Sequence, residues 1–264
     1  MKKITLLLVL LPALSFGWGA EGHRIIGAIA DMHLNQIARS KLNQIMGQES
    51  IAEISNWLDW KRDDWHGASP FHYISMPVDA LRYEPSHCAN EGICAVSMID
   101  RYKSRLMDEH ESPEGKTEAI KVIVHLFEDL HMPLHTGGQE GDYGGNAVKV
   151  DFFGKKSNLH KVYDFEVIQY AKKPEEEWIA ELTKDLTPEK ISKIQEGSLL
   201  DWVNESHQYV SSIYDQLPKE KKGTVMMNED YVNYADKLIQ EQMLEAGLRL
   251  AKYLNNIMGK VVIK

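Results

Sequence analysis

The chain has 264 residues and a formal net charge of −9. Its length is sufficient for one large domain or two small ones with a well-buried core, and its acidity argues against a broad basic face that would hold duplex nucleic acid. An anionic substrate would therefore need a local source of positive charge, for which bound cations are the obvious candidates.

The first seventeen residues have the features of a signal peptide. Lys2 and Lys3 precede the apolar stretch ITLLLVLLPAL, and Ser15 and Gly17 provide the small-x-small pattern that signal peptidase reads. The stretch is too short to span a bilayer, and no second long apolar segment follows. We therefore expect export to the periplasm or out of the cell, with no membrane span in the mature protein, which would begin at Trp18.

The predicted cleavage site places a tryptophan at the new N-terminus. The α-amine of Trp18 would then lie five residues before His23. An amine, a backbone carbonyl and an imidazole are all possible metal ligands. Any residue can follow a signal peptide, however, so this juxtaposition alone assigns no function.

Apolar residues at three- and four-residue spacing predict helices along most of the mature chain. In chain order the predicted helices are GHRIIGAIADMHL, QIARSKLNQIMG, MIDRYKSRLMDEH, TEAIKVIVHLFEDLH, EEEWIAELTKDL, SLLDWVNESHQYVSSIYDQL and NEDYVNYADKLIQEQMLEAGLRLAKYLNNIM. Thr187 before Pro188 predicts a helix start, and Gly47 and Gly259 predict helix ends.

One short β segment is predicted at AVKVDFF, residues 147–153, where apolar and polar residues alternate. The preceding TGGQEGDYGGN lacks the ending of a phosphate-binding loop and leads into a strand rather than a helix, so we interpret it as a loop. We find no repeat and no low-complexity linker. The sequence therefore predicts one mainly α domain over residues 18–264, with a short segment resembling a β-hairpin.

The two cysteines, Cys88 and Cys94, lie close together in HCANEGIC. In an oxidising compartment, a local disulfide is favoured over two free thiols. Such a disulfide would constrain one loop rather than the whole fold.

The predicted helix TEAIKVIVHLFEDLH has almost no polar face, yet it contains His125 and Asp129. Their four-residue spacing puts an imidazole and a carboxylate on one face, one turn apart. Because an unpaired buried carboxylate is costly, a cation is expected nearby. Pro133 ends the helix, and His135 follows where the chain could turn back toward the same place.

The same spacing recurs at His160 and Asp164 in NLHKVYDFE, while Asp59 and His72 lie upstream in NWLD and FHYI. One such pair is a weak signal, but two in an exported, acidic, helical chain indicate a metal site. Nitrogen and carboxylate ligands without thiolates suit zinc better than manganese or iron.

Eight motifs together resemble the zinc-dependent single-strand-specific nuclease family of the S-one/P-one type. They follow the family's order along the whole mature chain: WGAEGH, NWLD, FHYI, VHLFEDLHMPLH, GGN, NLHKVYD, WVNESH and AGLRLAKYLNNI. The resemblance implies the fold of zinc-dependent phospholipases C. It also implies hydrolysis of single-stranded DNA and RNA to products with 5′-phosphates, 3′-nucleotidase activity, and no stable duplex binding.

The resemblance further implies three zinc ions per chain. The first would be bound by Trp18, through its amine and carbonyl, by His23 and by Asp129, which bridges to the second. The second would be bound by Asp59, His72, His125 and Asp129, and the third by His135, His160 and Asp164. Asp59, Asp129 and Arg62 would be catalytic, with the Arg62 guanidinium stabilising charge in the transition state.

Three residues match substrate-binding positions of the family. Tyr73 would stack on a base, Ser75 stands where fungal relatives usually carry an acidic residue that contacts the base, and Asn146 in GGN would lie near the active site. Packing for Tyr73, a turn for Asn146 and a charged surface run for Arg62 remain alternatives. Six histidines receive no role: His33, His66, His87, His110, His131 and His207.

Two other functions remain open at this point. A zinc-dependent phospholipase C also combines an N-terminal tryptophan with a zinc cluster, although its last carboxylate is typically a glutamate where this chain has Asp164. A helical protein that only binds zinc would have the same ligands in closed sites, whereas a catalytic site keeps positions open for water.

Overall fold

A computed structural model of the chain describes residues 18–61, 65, 69–88 and 92–263. Across these residues the fold is a single, mainly α domain with a few short strands, as predicted. Within the same ranges, the helices are too short or too polar to cross a membrane. The predicted signal peptide lies outside the described residues.

The helices alternate between long packing elements and short turns that carry polar side chains. Their bounds are α1 Ala20–Met32, α2 Gln36–Met46, α3 Ile51–Ile54, α4 Trp57–Lys61, α5 Ala95–Met107, α6 Pro113–Asp129, α7 Leu159–Lys161, α8 Val167–Ala171, α9 Glu175–Thr183, α10 Pro188–Ile194, α11 Leu199–Asp215 and α12 Glu229–Met258. Short 3₁₀ turns occupy Ser69–His72, Pro85–His87 and Pro133–His135, and a π-helical turn occupies Val162–Glu166.

Each of the seven helices predicted from periodicity is present, with ends shifted by a few residues. Local capping explains several ends. The Thr187 side chain accepts a hydrogen bond from the Lys190 N–H at the start of α10. Gly47, with a φ of 73°, ends α2, in the left-handed region that glycine adopts without steric cost.

The predicted β segment is a hairpin with one additional strand. Strands β3 (Lys149–Phe152) and β4 (Lys155–Asn158) pair antiparallel, and β5 (Val225–Met226) pairs parallel with β3. A separate parallel pair joins β1 (Met76–Pro77) to β2 (Gly137–Gly138). This second pair ties the segment after the 3₁₀ turn at His72 to the segment after the turn at His135.

Two clusters of buried apolar side chains form the core. One lies among α2, α3, α5, α6 and the C-terminal half of α12, and the other among α1, α8, α9, β3 and the N-terminal half of α12. Helix α1 contacts α3, α6, α9 and α12. Helix α1 therefore contributes to both clusters, and its N-terminal turn lies next to the end of α6.

The predicted disulfide is confirmed. Cys88 and Cys94 are bonded, with their Cα atoms 5.0 Å apart. The bond joins the short turn at Pro85–His87 to the start of α5, so it holds the segment after Tyr73 against α5.

Candidate metal centre

Helix α6 carries the two central residues of the site. It begins at Ser112, whose Oγ accepts a hydrogen bond from the Gly115 N–H, and has Pro113 in its first turn. Four turns later, His125 and Asp129 are fully buried, and His125 Nε2 lies 3.3 Å from Asp129 Oδ2. The pair predicted from spacing therefore shares one helix face inside the core.

Asp129 faces two sides through its two carboxylate oxygens. Oδ2 lies 3.0 Å from His72 Nδ1. Oδ1 lies 3.5 Å from His23 Nε2 and 3.7 Å from His135 Nδ1. A carboxylate with different neighbours at each oxygen is suited to bridging two cations.

Eight side chains form three groups, in each of which one nitrogen or oxygen per residue lies within 4.8 Å of the others. The groups are His23, Asp59 and His125; His72, His125 and Asp129; and His135, His160 and Asp164. These are the eight side chains to which the family resemblance assigns zinc. The structure brings them together, and their role as ligands stays a prediction.

The grouping differs from the predicted assignment in one respect. His23, predicted to share an ion with Trp18 and Asp129, also lies beside Asp59 and His125. Its ring stacks on the His125 ring, with 4.2 Å between the centroids. The first two predicted sites therefore form one continuous cluster, while the third group is the predicted set.

Trp18 is fully buried beside this cluster. Its indole N–H donates to the Glu128 carbonyl at 2.9 Å, and the Gly19 N–H donates to the Asp164 carbonyl at 2.7 Å. The backbone at residue 18 is thus held between the end of α6 and the turn that carries Asp164.

Three of the clustered histidines are oriented by backbone carbonyls. A carbonyl only accepts hydrogen bonds, so Nδ1 must carry the proton, and in the neutral ring Nε2 is left as a metal ligand. The pairs are His125 Nδ1 with Ser55 O at 2.6 Å, His135 Nδ1 with His72 O at 2.8 Å, and His160 Nδ1 with Gly144 O at 2.7 Å.

The glycine-rich loop supplies the last of these carbonyls. Gly144 has a φ of 63°, and a Cβ at this position would lie 2.4 Å from the Leu134 carbonyl oxygen. A larger residue would therefore push the loop away from His160. The loop thus orients a histidine of the third group.

The charges in the cluster favour added positive charge. Burial alone would lower the pKa of His23, but the adjacent carboxylates of Asp129 and Glu128 outweigh it and raise the pKa to about 10. Burial alone would raise the pKa of Asp129, but the nearby His125 and His135 hold it well below its usual range. A metal ion entering the cluster would replace protons, so binding should release protons.

The donor atoms fit a borderline metal such as zinc. His23 Nε2 and Asp129 Oδ1 are buried, and at 3.5 Å they are too far apart for a good hydrogen bond. Neither makes a hydrogen bond to another described residue. An ion between them could approach both at about 2.0–2.2 Å, which are common Zn–N and Zn–O distances.

One residue of the third group lines a cavity. A cavity of about 210 Å³ lies beside Asp164 and is also lined by Gly19, Arg24 and Phe165.

The predicted substrate-binding residues are near clustered residues in the sequence. Tyr73, half-buried, and Ser75, exposed, follow His72 directly. Asn146 is half-buried, and its side-chain amide donates to the Tyr143 carbonyl at 2.9 Å, which fits the alternative turn role. Arg62, the predicted catalytic arginine, lies outside the described residues.

Glu128 is the main site residue that sequence reasoning missed. It is fully buried, and its carboxylate contacts His23 Nδ1 at 2.6 Å and accepts from Ser55 Oγ at 2.8 Å. The available signal was a second carboxylate, next to Asp129, in a helix with almost no polar face.

His131, one of the six histidines without an assigned role, faces away from the cluster. Its Nδ1 donates to the Phe127 carbonyl at 3.0 Å, and its ring stacks on Phe127. Burial, with Arg249 nearby, lowers its pKa to about 3, so this ring is neutral near pH 7.

Known proteins resemble this chain over nearly its whole length. The model of the S1/P1 Nuclease family matches residues 18–259. Endonuclease 2 of Arabidopsis thaliana is 26% identical over 98% of this chain and 97% of its own length. Nuclease S1 of Aspergillus oryzae is 27% identical over 94% of both chains, and Nuclease P1 of Penicillium citrinum is 26% identical over 94% of this chain and 100% of its own.

The family match spans all eight clustered side chains and the tryptophan beside them. The match covers nearly the whole chain, from residue 18 to residue 259. The chain belongs to the S1/P1 nuclease family.

Proposed function

We propose that the protein is a zinc-dependent nuclease that hydrolyses single-stranded DNA and RNA to products with 5′-phosphates and also removes phosphate from 3′-nucleotides. The observation that carries the proposal is the cluster of three His/Asp groups, two of which share His125, arranged around Asp129. Membership of a family whose named relatives include Nuclease S1 and Nuclease P1 supports it.

Zinc is the metal that suits these donors best, because they are imidazole and carboxylate groups without thiolates. When bound, zinc supplies positive charge that polarises a phosphoryl oxygen and lowers the pKa of water toward neutrality. Three divalent ions would carry more positive charge than the negative charge of the Asp59, Asp129 and Asp164 carboxylates. The acidic chain would then have a local positive centre that attracts a phosphodiester.

The chain's own residues hold and orient these charges. Asp129 presents one oxygen toward His72 and the other toward His23. The carbonyls bonded to His125, His135 and His160 fix their rings, so little reorganisation is needed when a substrate arrives. Arg62 is assigned to stabilise charge on the phosphoryl oxygens, since a guanidinium can donate two parallel hydrogen bonds to them.

Substrate selection is assigned to the segment after His72. Tyr73 would stack on an unpaired base and Ser75 would hydrogen-bond it. Asn146, from the glycine-rich loop, would lie near the bound nucleotide. A duplex keeps its bases stacked internally, and the chain carries a net negative charge. We therefore propose weak binding to duplexes.

Export and cleavage before Trp18 belong to the same proposal. Cleavage would free the Trp18 amine to bind zinc together with its carbonyl. Hydrogen bonds from the Trp18 indole and the Gly19 N–H already fix this backbone beside the cluster. The protein would thus become fully active only after removal of residues 1–17.

The test uses protein that begins at Trp18 and is loaded with zinc. Single-stranded DNA, duplex DNA, 3′-AMP and phosphatidylcholine micelles are incubated separately, with and without a chelator, and zinc is added back afterwards. We expect cleavage of single-stranded DNA to 5′-phosphate ends and release of phosphate from 3′-AMP, both lost with the chelator and restored by zinc. Hydrolysis of lipid without DNA cleavage would indicate a phospholipase C, and inactivity on every substrate would favour a zinc-binding protein without catalysis.

A further inference from the structure

Glu128 makes three buried contacts with elements of the candidate metal centre. Its Oε2 lies 2.6 Å from His23 Nδ1, and its Oε1 accepts a hydrogen bond from Ser55 Oγ at 2.8 Å. Its backbone carbonyl accepts from the Trp18 indole N–H at 2.9 Å. One residue therefore contacts both Trp18 and His23, the two residues that the family resemblance assigns to the same ion.

Glu128 is placed to act through His23 rather than as a ligand itself. It bonds Nδ1 of the His23 ring, whereas Nε2 on the opposite side faces Asp129 Oδ1 at 3.5 Å. It is also absent from the three groups of converging donor atoms among the described residues. Its carboxylate therefore fixes the ring plane and leaves Nε2 for the metal.

His23 is one of four clustered histidines whose Nδ1 bonds a group other than a clustered side chain, and its partner differs in kind from the other three. His125, His135 and His160 use backbone carbonyls, but His23 uses a side-chain carboxylate. A carboxylate partner orients a metal-binding histidine and also makes its ring a stronger base. Unlike a carbonyl, this partner can be removed by substitution.

Ser55 extends the contact toward a second ligand. Its Oγ donates to Glu128, and its carbonyl accepts from His125 Nδ1 at 2.6 Å. Helix α1 and the end of α3 approach closely here, as shown by Gly27, where a Cβ would lie only 2.4 Å from Ser55 Oγ. Changes at Glu128 should therefore affect His125 as well, through one more contact.

We propose that Glu128 is a positioning residue for the zinc site that contains Trp18 and His23. The inference rests on the proposed zinc dependence. Loss of a carboxylate that orients a metal-binding histidine typically weakens metal binding about 10- to 100-fold. The effect should fall mainly on the ion assigned to Trp18 and His23, because Glu128 contacts both of these residues directly.

The test compares E128L, E128Q and E128D with the wild type and with E245Q as a matched control. Glu245 is also a buried carboxylate, but it lies on α12 and bonds Gln242 and Arg249 instead of a candidate ligand. Zinc affinities are measured by competition with a chromophoric chelator, and zinc content by mass spectrometry after dialysis. We expect three ions in the wild type and in E245Q, and about 10- to 100-fold weaker binding of one ion in E128L.

The three variants distinguish a positioning role of Glu128 from a packing role and from an effect of its charge alone. Leucine fills the volume without an acceptor, so a packing role predicts wild-type binding in E128L. Glutamine keeps an acceptor at the same reach, whereas aspartate keeps the charge but is one methylene shorter. Positioning therefore predicts tighter zinc binding in E128Q than in E128D, and a charge effect predicts the reverse. If E128L fails to fold, this comparison of E128Q with E128D tests the inference by itself.

A spectroscopic readout examines the His23 ring directly. In zinc-loaded protein labelled with ¹⁵N-histidine, the His23 Nδ1–H should give a protected proton signal in the wild type and E128Q that is lost in E128L. Three ions bound with wild-type affinity and an unchanged His23 signal in E128L would overturn this inference alone. Absence of tight zinc binding in the wild type would instead contradict the proposed function, and this inference with it.

Discussion

His125 and Asp129 lie one helical turn apart in the core, with His125 Nε2 3.3 Å from Asp129 Oδ2 and both side chains fully buried. Asp129 is the residue that joins the two parts of the cluster, because its second oxygen faces His23 and His135. The effects of substitutions should therefore depend on which group a residue belongs to.

Substitution of Asp129 by alanine should remove two zinc ions at once. The carboxylate is predicted to bridge them, and its two oxygens lie 3.0 Å from His72 Nδ1 and 3.5 Å from His23 Nε2. Zinc content should fall from three ions to one, with a loss of nuclease rate of at least about 100-fold, the lower end of the range expected when one electrostatic contact with the transition state is removed. D100A, which changes an exposed aspartate on α5, is the control; full zinc content and rate in D129A would contradict the bridging role.

Substitution of His160 by alanine should affect the third group alone. His160 Nε2 lies 3.3 Å from Asp164 Oδ2, and its group shares no residue with the other two. We expect zinc content to fall by one ion while the remaining two keep their affinity. H110A, in which an exposed histidine is removed, should retain three ions, and a loss of all three from H160A would show that the groups do not form independently.

A residue left in front of Trp18 should impair the enzyme. An added methionine would convert the Trp18 amine into an amide nitrogen, which is a poor zinc ligand. We expect weaker binding of one zinc ion and a lower rate, measured against protein that begins at Trp18. The same methionine added after Lys264 is the control, and equal zinc affinity and rate in both extended proteins would argue against the amine as a ligand.

Stability should fall as pH rises toward neutrality because of Glu245. Burial raises its pKa to about 7, although Arg249 Nη1 lies 3.1 Å away and favours the charged form. The unfolded chain, with a pKa near 4.5, releases this proton earlier. Between these values the folded protein binds the proton more tightly, so the free energy of unfolding decreases with rising pH.

The measurement is urea unfolding at pH 5 and pH 7.5 with constant zinc. The Glu245 contribution to this difference should be about 1–3 kcal/mol, from roughly 1.4 kcal/mol for each pH unit between the two pKa values. E245Q should lose that part of the pH dependence, whereas E177Q, at an exposed position on α9, should keep it. An identical pH profile in E245Q and the wild type would show that Glu245 ionises normally in the folded protein.

Local sequence patterns predicted the helices well because apolar periodicity and capping residues act within a few positions. Thr187 begins α10 and Gly47 ends α2, each through a contact with a residue a few positions away. In contrast, β5 consists of two residues, Val225 and Met226, paired with a strand about 75 positions earlier. Two residues carry no readable alternation, so this strand could not be predicted.

The candidate site shows the same division. Spacing identified His125 with Asp129 and His160 with Asp164, since each pair lies on one turn of helix. It did not show which residues share a group, because His23 meets Asp59 and His125 through the packing of α1 and α4 against α6. Glu128 was missed for the same reason: its partners, His23 and Ser55, are distant in sequence.

The most direct test of the account is anomalous diffraction at the zinc absorption edge, using crystals of protein that begins at Trp18. The account predicts three zinc peaks, two of them on either side of the Asp129 carboxylate and the third among His135, His160 and Asp164. Peaks elsewhere on the protein, or a cluster that stays empty at saturating zinc, would contradict it.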